Sequence, residues 1–153
     1  MALRKIIIDG DPALRKVSRP VEAVNDRIKT LIDDMIETMY ENNGIGLAAV
    51  QVGVLRRIFV MDIQDGSGVH VMVNPEIVER EGSQMYMEGC LSVPGCAGEV
   101  ERPARLVIRA MDRDGQPFEM EAEGLKAVCI SHENDHLDGV LFTDKVKGDL
   151  IRE

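Results

Sequence analysis

Val24, Ile28, Leu31, Ile32, Met35, Ile36, Met39 and Tyr40 recur at the i, i+4, i+7, i+8 spacing of one helical face. The spacing predicts a long amphipathic helix from Val24 to Asn42, ended by Asn43-Gly44. Before it, Asp11-Pro12 opens a short helical turn, ALRKV. From Arg57 the period changes. RIFVMDI and VHVMVNPEIVE read as strands, the second broken at Asn74-Pro75. Residues 84–110 read as short extended pieces separated by Gly and Pro, with Cys96 in a loop. ARLVIRAMD and QPFEMEAE read as the arms of a hairpin across Arg113-Asp114-Gly115, where Gly supplies positive φ. A second helix is predicted over Gly124–Leu137, closed by Gly139. VLFTDKV then reads as strand-like, and a short charged tail follows.

The order is helix, many short strands, helix. Strands do not alternate with helices, so a doubly wound parallel sheet is excluded. The fold class is α+β, with antiparallel β-sheets packed around a central helix and a long N-terminal helix outside them. No repeat, low-complexity stretch or linker divides the chain, which predicts one domain over residues 1–153, without a long C-terminal extension.

A chain of 153 residues can bury roughly two-thirds of its unfolded surface without disulfides. Aromatic residues make up 3%, so the core is aliphatic and Met-rich. The net charge of −9 repels phosphate backbones, and no run of Lys or Arg marks a basic patch, so direct nucleic-acid binding is not expected. MALRKIIIDGDP has no apolar stretch long enough for a signal-peptide core or a membrane span. The expected location is cytoplasmic, or an organelle if a transit peptide has been removed. The odd number of cysteines, Cys90, Cys96 and Cys129, points to free thiols or metal ligands.

The chemistry concentrates in SHENDHLDG, residues 131–139, which contains H-E-x-x-H. At about 100° per residue, His132 and His136 lie roughly 40° apart on one face, so both rings can reach one ion. Glu133 lies beside them, out of line, where a base acting on a bound water belongs. The alternative is two histidines and a glutamate placed by chance. The apolar flanks LKAVCI and HLDGVLF argue against it, because unligated histidines on a buried helix are costly. A catalytic site needs at least a third ligand. Asp138, Asp144, Asp149 and Glu153 follow the motif at no zincin spacing. Cys129 shares the helix face but would crowd the ion. Cys90, in the glycine-bounded MEGCLSVPG, is the best third ligand.

GIGLAAVQVG (residues 44–53), EGCLS (residues 88–92) and HENDH (residues 132–136), in this order and spacing, resemble the three motifs of the peptide deformylase family. The likeness extends over essentially the whole chain. It implies a metal-dependent hydrolase that removes the formyl group from the N-terminal formyl-methionine of nascent polypeptides and releases formate. Cys90, His132 and His136 would hold one divalent metal, iron(II) by resemblance, with zinc, nickel or cobalt as substitutes. Hydroxide at the metal would attack the formyl carbon, with Glu133 as general base and then acid. The resemblance places the Gln51 side-chain amide and the Leu91 backbone N–H at the developing oxyanion. It places Gly46 against the substrate backbone. Tyr86, Leu125, Val128 and Cys129 are candidates for the methionine pocket, though each is equally at home in a core. The expected partners are N-formylmethionyl peptides, with transient ribosome association weakened by the short tail. Val50, Ser131 and Asn134 depart from the family pattern. Asn134 is expected near an edge or bonded to a backbone group. A metallopeptidase cutting internal bonds and a non-enzymatic metal-binding domain are the competing readings. Cys90 speaks against the first; Gln51 and Glu133 speak against the second.

Overall fold

The computed structural model describes residues 2–152. The predicted N-terminal helix is α1 (Asp26–Glu41), two residues shorter at its start than the apolar pattern suggests. Asn25 caps it, its side-chain oxygen accepting from the Ile28 N–H at 3.0 Å. At the other end the left-handed residue is Asn43 (φ 57°), not Gly44. Gly44 serves a close approach instead: a Cβ there would lie 2.7 Å from Leu91 Cδ1.

The strands are β1 (Gly46–Ala48), β2 (Ile58–Met61), β3 (His70–Glu81), β4 (Gln84–Cys90), β5 (Val93–Arg102), β6 (Arg105–Met111), β7 (Pro117–Glu123) and β8 (Val146–Arg152). They form a five-stranded sheet in the order β1-β2-β3-β6-β7 and a three-stranded sheet in the order β4-β5-β8, all antiparallel. The second helix, α2 (Gly124–Leu137), has the predicted bounds. The β6–β7 hairpin turns at the predicted place, with Gly115 at φ 80°.

Four expectations change. Asn74-Pro75 does not break its strand. Asn74 takes φ 51°, tolerated because its short amide bonds locally, and β3 runs on through a register shift between Val73 and Glu76. The Asn74 side chain accepts from the Val21 N–H at 2.7 Å and donates to the Val21 carbonyl at 2.8 Å, which holds the bulge in place. The Gly- and Pro-punctuated stretch that includes Cys96 is the single long strand β5. VLFTDKV contains a 3₁₀ turn, Phe142–Asp144, and the charged tail is β8, paired with β5. Gly98 makes that pairing possible, since a Cβ there would lie 2.7 Å from Val146 Cγ2.

Strand β2 explains how the site is framed. IFVM is buried at every position, because both faces of its sheet are covered. Ile58 and Val60 pack with Leu31, Ile32, Met35 and Met39 of α1. Phe59 and Met61 face the opposite way, into the cluster that contains Ala127, Ile130 and Leu137 of α2. The sheet therefore lies between the two helices, and α2 is central. Each fully buried aliphatic side chain in these layers contributes about 1.5–3 kcal/mol.

Two polar residues of α1 are buried against the pattern. Asp34 accepts from the Ala2 N–H at 2.8 Å and from Arg4 Nε at 2.9 Å, and Thr38 Oγ1 accepts from the Arg4 N–H at 2.9 Å. Together they clamp the N-terminal segment to the helix. Burial alone would raise the Asp34 pKa, but the Ala2 N–H and the Arg4 guanidinium outweigh it and hold the carboxyl below its usual range. Its stabilisation is present above the ordinary aspartate pKa and is lost as pH falls through the lowered one. Asp34→Asn should cost about 1–3 kcal/mol at pH 7 and flatten the acid limb of stability against pH. Urea midpoints measured from pH 2 to 7 test this; parallel curves for the two proteins would refute it.

Candidate metal centre and active site

The centre lies where α2 meets β1 and the end of β4. Cys90 is the last residue of β4, and His132 and His136 stand one turn apart on α2. One ligand atom from each of these three residues lies within 4.8 Å of the others. Cys90 Sγ is 3.4 Å from His136 Nε2. No other group of three His, Cys, Asp or Glu side chains that could hold a metal occurs among the described residues.

The electrostatics suit a cation. Burial disfavours charge on His132, yet the Glu133 carboxylate, together with contacts to Cys90 and Glu88, drives its pKa well above the ordinary histidine value. His136 moves the other way, well below, through burial and the positive charges of His132 and Arg102. The site thus draws positive charge onto one ring while the other stays a neutral donor. Burial raises the Glu133 pKa to about 7, against the pull of His132. Glu133 Oε2 lies 3.9 Å from His132 Nε2, while Oε1 is buried with no hydrogen-bond partner. Softness and charge both fit: a thiol, two imidazoles and a spare buried carboxylate match a divalent transition ion.

Beside these donors is a cavity of about 440 Å³. Cys90, His132 and Glu133 line it, as do Gln51, Leu91 and Gly46. The four methionine-pocket candidates, Tyr86, Leu125, Val128 and Cys129, line it too, so none of them is only core. Leu125, Val128, Cys129 and His132 present one face of α2, following the helical repeat. Gly46 has no room for a side chain: a Cβ would lie 2.5 Å from Glu133 Oε2 and 2.9 Å from Cys129 Sγ. Gln51 is fixed by its own 3₁₀ turn. Its oxygen accepts from the Ala48 N–H at 2.9 Å, and its Nε2 donates to Ser92 Oγ at 3.1 Å and approaches Cys90 Sγ at 3.6 Å. Burial, with the Glu133 and Glu88 charges, pushes the Cys129 thiol well above its ordinary pKa, so it stays protonated. It points to the Ile45 carbonyl at 3.6 Å, not to the histidines.

The profile of the polypeptide deformylase family matches residues 3–150. This chain belongs to the polypeptide deformylase family. Members are enzymes acting on peptides with a formylated N-terminal methionine. A peptide deformylase from Acetivibrio thermocellus is 59% identical over 146 residues, which span 95% of this chain and 85% of the relative. The crystal structure of the Thermotoga maritima peptide deformylase superposes with a TM-score of 0.93 at 42% identity, covering 97% of this chain and 100% of that one. The Ehrlichia chaffeensis peptide deformylase in complex with actinonin gives a TM-score of 0.93 at 39% identity, covering 96% of this chain and 90% of that one. No helix among the described residues is long and apolar enough to cross a membrane.

The candidate site of this deformylase-family chain also contains a charged scaffold that sequence reasoning missed. His132 Nδ1 lies 2.8 Å from Glu88 Oε1. Arg102, on β5, donates to both Glu88 oxygens at 2.7 and 2.9 Å and to Asp135 Oδ2 at 2.7 Å. Lys145 reaches the same Asp135 oxygen at 3.0 Å. Burial opposes the Glu88 charge, but Arg102 and His132 overcome it and hold its pKa below the usual range. Such a carboxylate fixes the ring orientation of a ligating histidine. The only available signal was Glu88 inside EGCLS; nothing in the sequence ties it to Arg102. Cys96 also lines the cavity. Asn134 is half-buried, and its amide oxygen is buried without the backbone partner expected for it; Ser131 Oγ has no partner either.

Proposed function

We propose that this chain removes the formyl group from the N-terminal formyl-methionine of nascent polypeptides and releases formate. The observation that carries the reading is Glu133: a buried carboxylate with one unpartnered oxygen, in a cavity wall beside three convergent donor atoms. Cys90, His132 and His136 would hold one divalent metal, iron(II) in the native protein. When bound, that ion would polarise the formyl oxygen and acidify a water.

The chain's own residues supply the rest. Glu133 accepts the proton of the attacking water and returns it to the departing amine nitrogen. A carboxyl drawn towards neutral pH suits both directions of transfer. The Gln51 Nε2–H and the Leu91 backbone N–H stabilise the oxygen on which charge develops. Gln51 can do so without reorganising, because the Ala48 N–H already fixes its oxygen. Strand β1 pairs with β2 on one side only, and Gly46 lines the cavity, so its other edge can bind an extended substrate backbone. The methionine side chain enters the apolar wall of Tyr86, Leu125, Val128 and Cys129.

The direct test is formate release from formyl-Met-Ala-Ser by anaerobically prepared, iron-loaded protein, with acetyl-Met-Ala-Ser as control. Release from the first peptide alone supports the reading; cleavage of internal peptide bonds instead would make the chain a metallopeptidase. Ligand choice is tested separately. Cys90→Ser should abolish stoichiometric metal binding, whereas Cys129→Ser should retain one metal per chain, read by plasma emission. The opposite pattern would remove Cys90 from the ligand set.

A further inference from the structure

At the N-terminal end of α1, away from the cavity, lies a groove of about 1070 Å³ between the helix and residues 53–56, lined by Arg4, Arg19, Arg27 and Arg56 among others. These arginines come from distant stretches of a chain whose net charge is −9. Glu22 is the only carboxylate among the lining residues. Arg4 is engaged by Asp34 at 2.9 Å. Arg19, Arg27 and Arg56 form no ion pair among the described residues, as is true also of Arg80 and Arg152 elsewhere, whereas Arg15, Arg57, Arg102, Arg105, Arg109 and Arg113 do; the Arg56 side chain donates only to the Leu55 carbonyl, at 3.3 Å.

Two of these placements are costly in the isolated chain. Arg19 and Arg56 are bridge partners, so two residues of like charge sit side by side, and neither pairs with a carboxylate among the described residues. Arg27 is the second residue of α1, where the helix dipole disfavours positive charge. Both costs would be relieved by an anionic ligand in the groove. The lining defines that ligand further. Apolar side chains, Pro20, Ile28, Val54 and Leu55, lie among the arginines, with the buried Val21 and Leu31 beneath them, and no aromatic side chain is present on which a nucleobase could stack. A phosphate backbone has no use for such a lining.

We propose that this groove docks an acidic, amphipathic segment of a partner protein, with its apolar side chains against these apolar residues and its carboxylates on the arginines. Guanidinium forks recognise carboxylates with two parallel hydrogen bonds, which gives the groove its selectivity. The groove is separate from the catalytic cavity and shares no lining residue with it.

The test uses a fluorescein-labelled peptide of about twelve residues, with leucines on one helical face and glutamates on the other. Fluorescence anisotropy should show saturable binding that weakens with salt. R19E/R27E should weaken it about tenfold or more. The same variant should melt at or above the parent temperature and keep full formate release, since it removes two unfavourable charges and no catalytic group. If the double variant does not fold, Arg27→Gln, at an exposed position, replaces it. Unchanged affinity in these variants overturns the proposal. So does equal binding of a peptide with serines in place of leucines, or binding of single-stranded RNA or phosphatidylglycerol vesicles in preference to the peptide. Self-association of the parent that R19E/R27E abolishes also overturns it, by assigning the groove to a second copy of this chain.

Discussion

Glu133→Gln protein is expected to bind one metal per chain and to release formate roughly a hundred to ten-thousand-fold more slowly than the parent. The substitution keeps the shape of the side chain and removes its proton affinity. The carboxyl is not among the three convergent donors, so metal content should not change. A second readout separates a proton carrier from a structural group. In the metal-free protein the Glu133 pKa is raised to about 7, chiefly by burial. A carboxyl with a raised folded-state pKa binds more protons folded than unfolded, so stability falls as pH rises from the ordinary glutamate range to about 7. Metal-free Glu133→Gln should therefore melt higher than the metal-free parent at pH 8, and the gap should close by pH 4. Lost activity with no such stabilisation would mean that Glu133 acts by holding the site together. Retained activity would remove it from the mechanism.

Arg102→Met should cost about 3–5 kcal/mol, because it leaves Glu88 as a buried charge with only His132 beside it. It should also weaken metal binding roughly ten- to a hundred-fold, since Glu88 then no longer fixes the ring of His132. Chemical denaturation reads the first effect and competition with a chelator the second. The Glu88→Gln/Arg102→Met double variant should recover part of the stability, because the buried charge is gone, while metal affinity stays low. A loss of stability equal in single and double variants would show that the arginine acts by packing alone. An unchanged metal affinity would show that Glu88 does not orient the ligand.

Much of this could be read from residues near one another in the chain. Helix α1 was visible because its apolar residues repeat with the helical period, and the β6–β7 hairpin because Asp114-Gly115 turns only one way. The bounds of α2 came from Gly124 and Gly139 at its ends. Its buried character came from the apolar residues on both sides of H-E-x-x-H. Where local signals misled, a tertiary contact had intervened. Asn74-Pro75 looks like a strand end, yet the Val21 backbone holds it as a bulge. The tail looks solvated, yet β5 offers it an open edge. Asp34 lies beside the apolar stripe, where the pattern gives no sign of burial, yet it is buried because the N-terminal segment supplies its partners.

The same division separates the two levels of the site. Residue types and their spacing within one helix picked out His132 and His136 as the candidate ligand pair, with Glu133 beside them, because a helix has a known repeat and needs no outside partner to define a face; the order of helices and strands gave the fold class. The glycine-bounded segment around Cys90 made it the best third ligand, and the resemblance of three motifs added Gln51 and Leu91. The tertiary structure alone decided that these segments meet around one cavity, that Arg102 stands behind Glu88, and that three unpaired arginines ring one groove. Those are distances between residues far apart in sequence. They are set by how two sheets and two helices bury their shared apolar faces, and no local pattern along the chain encodes them.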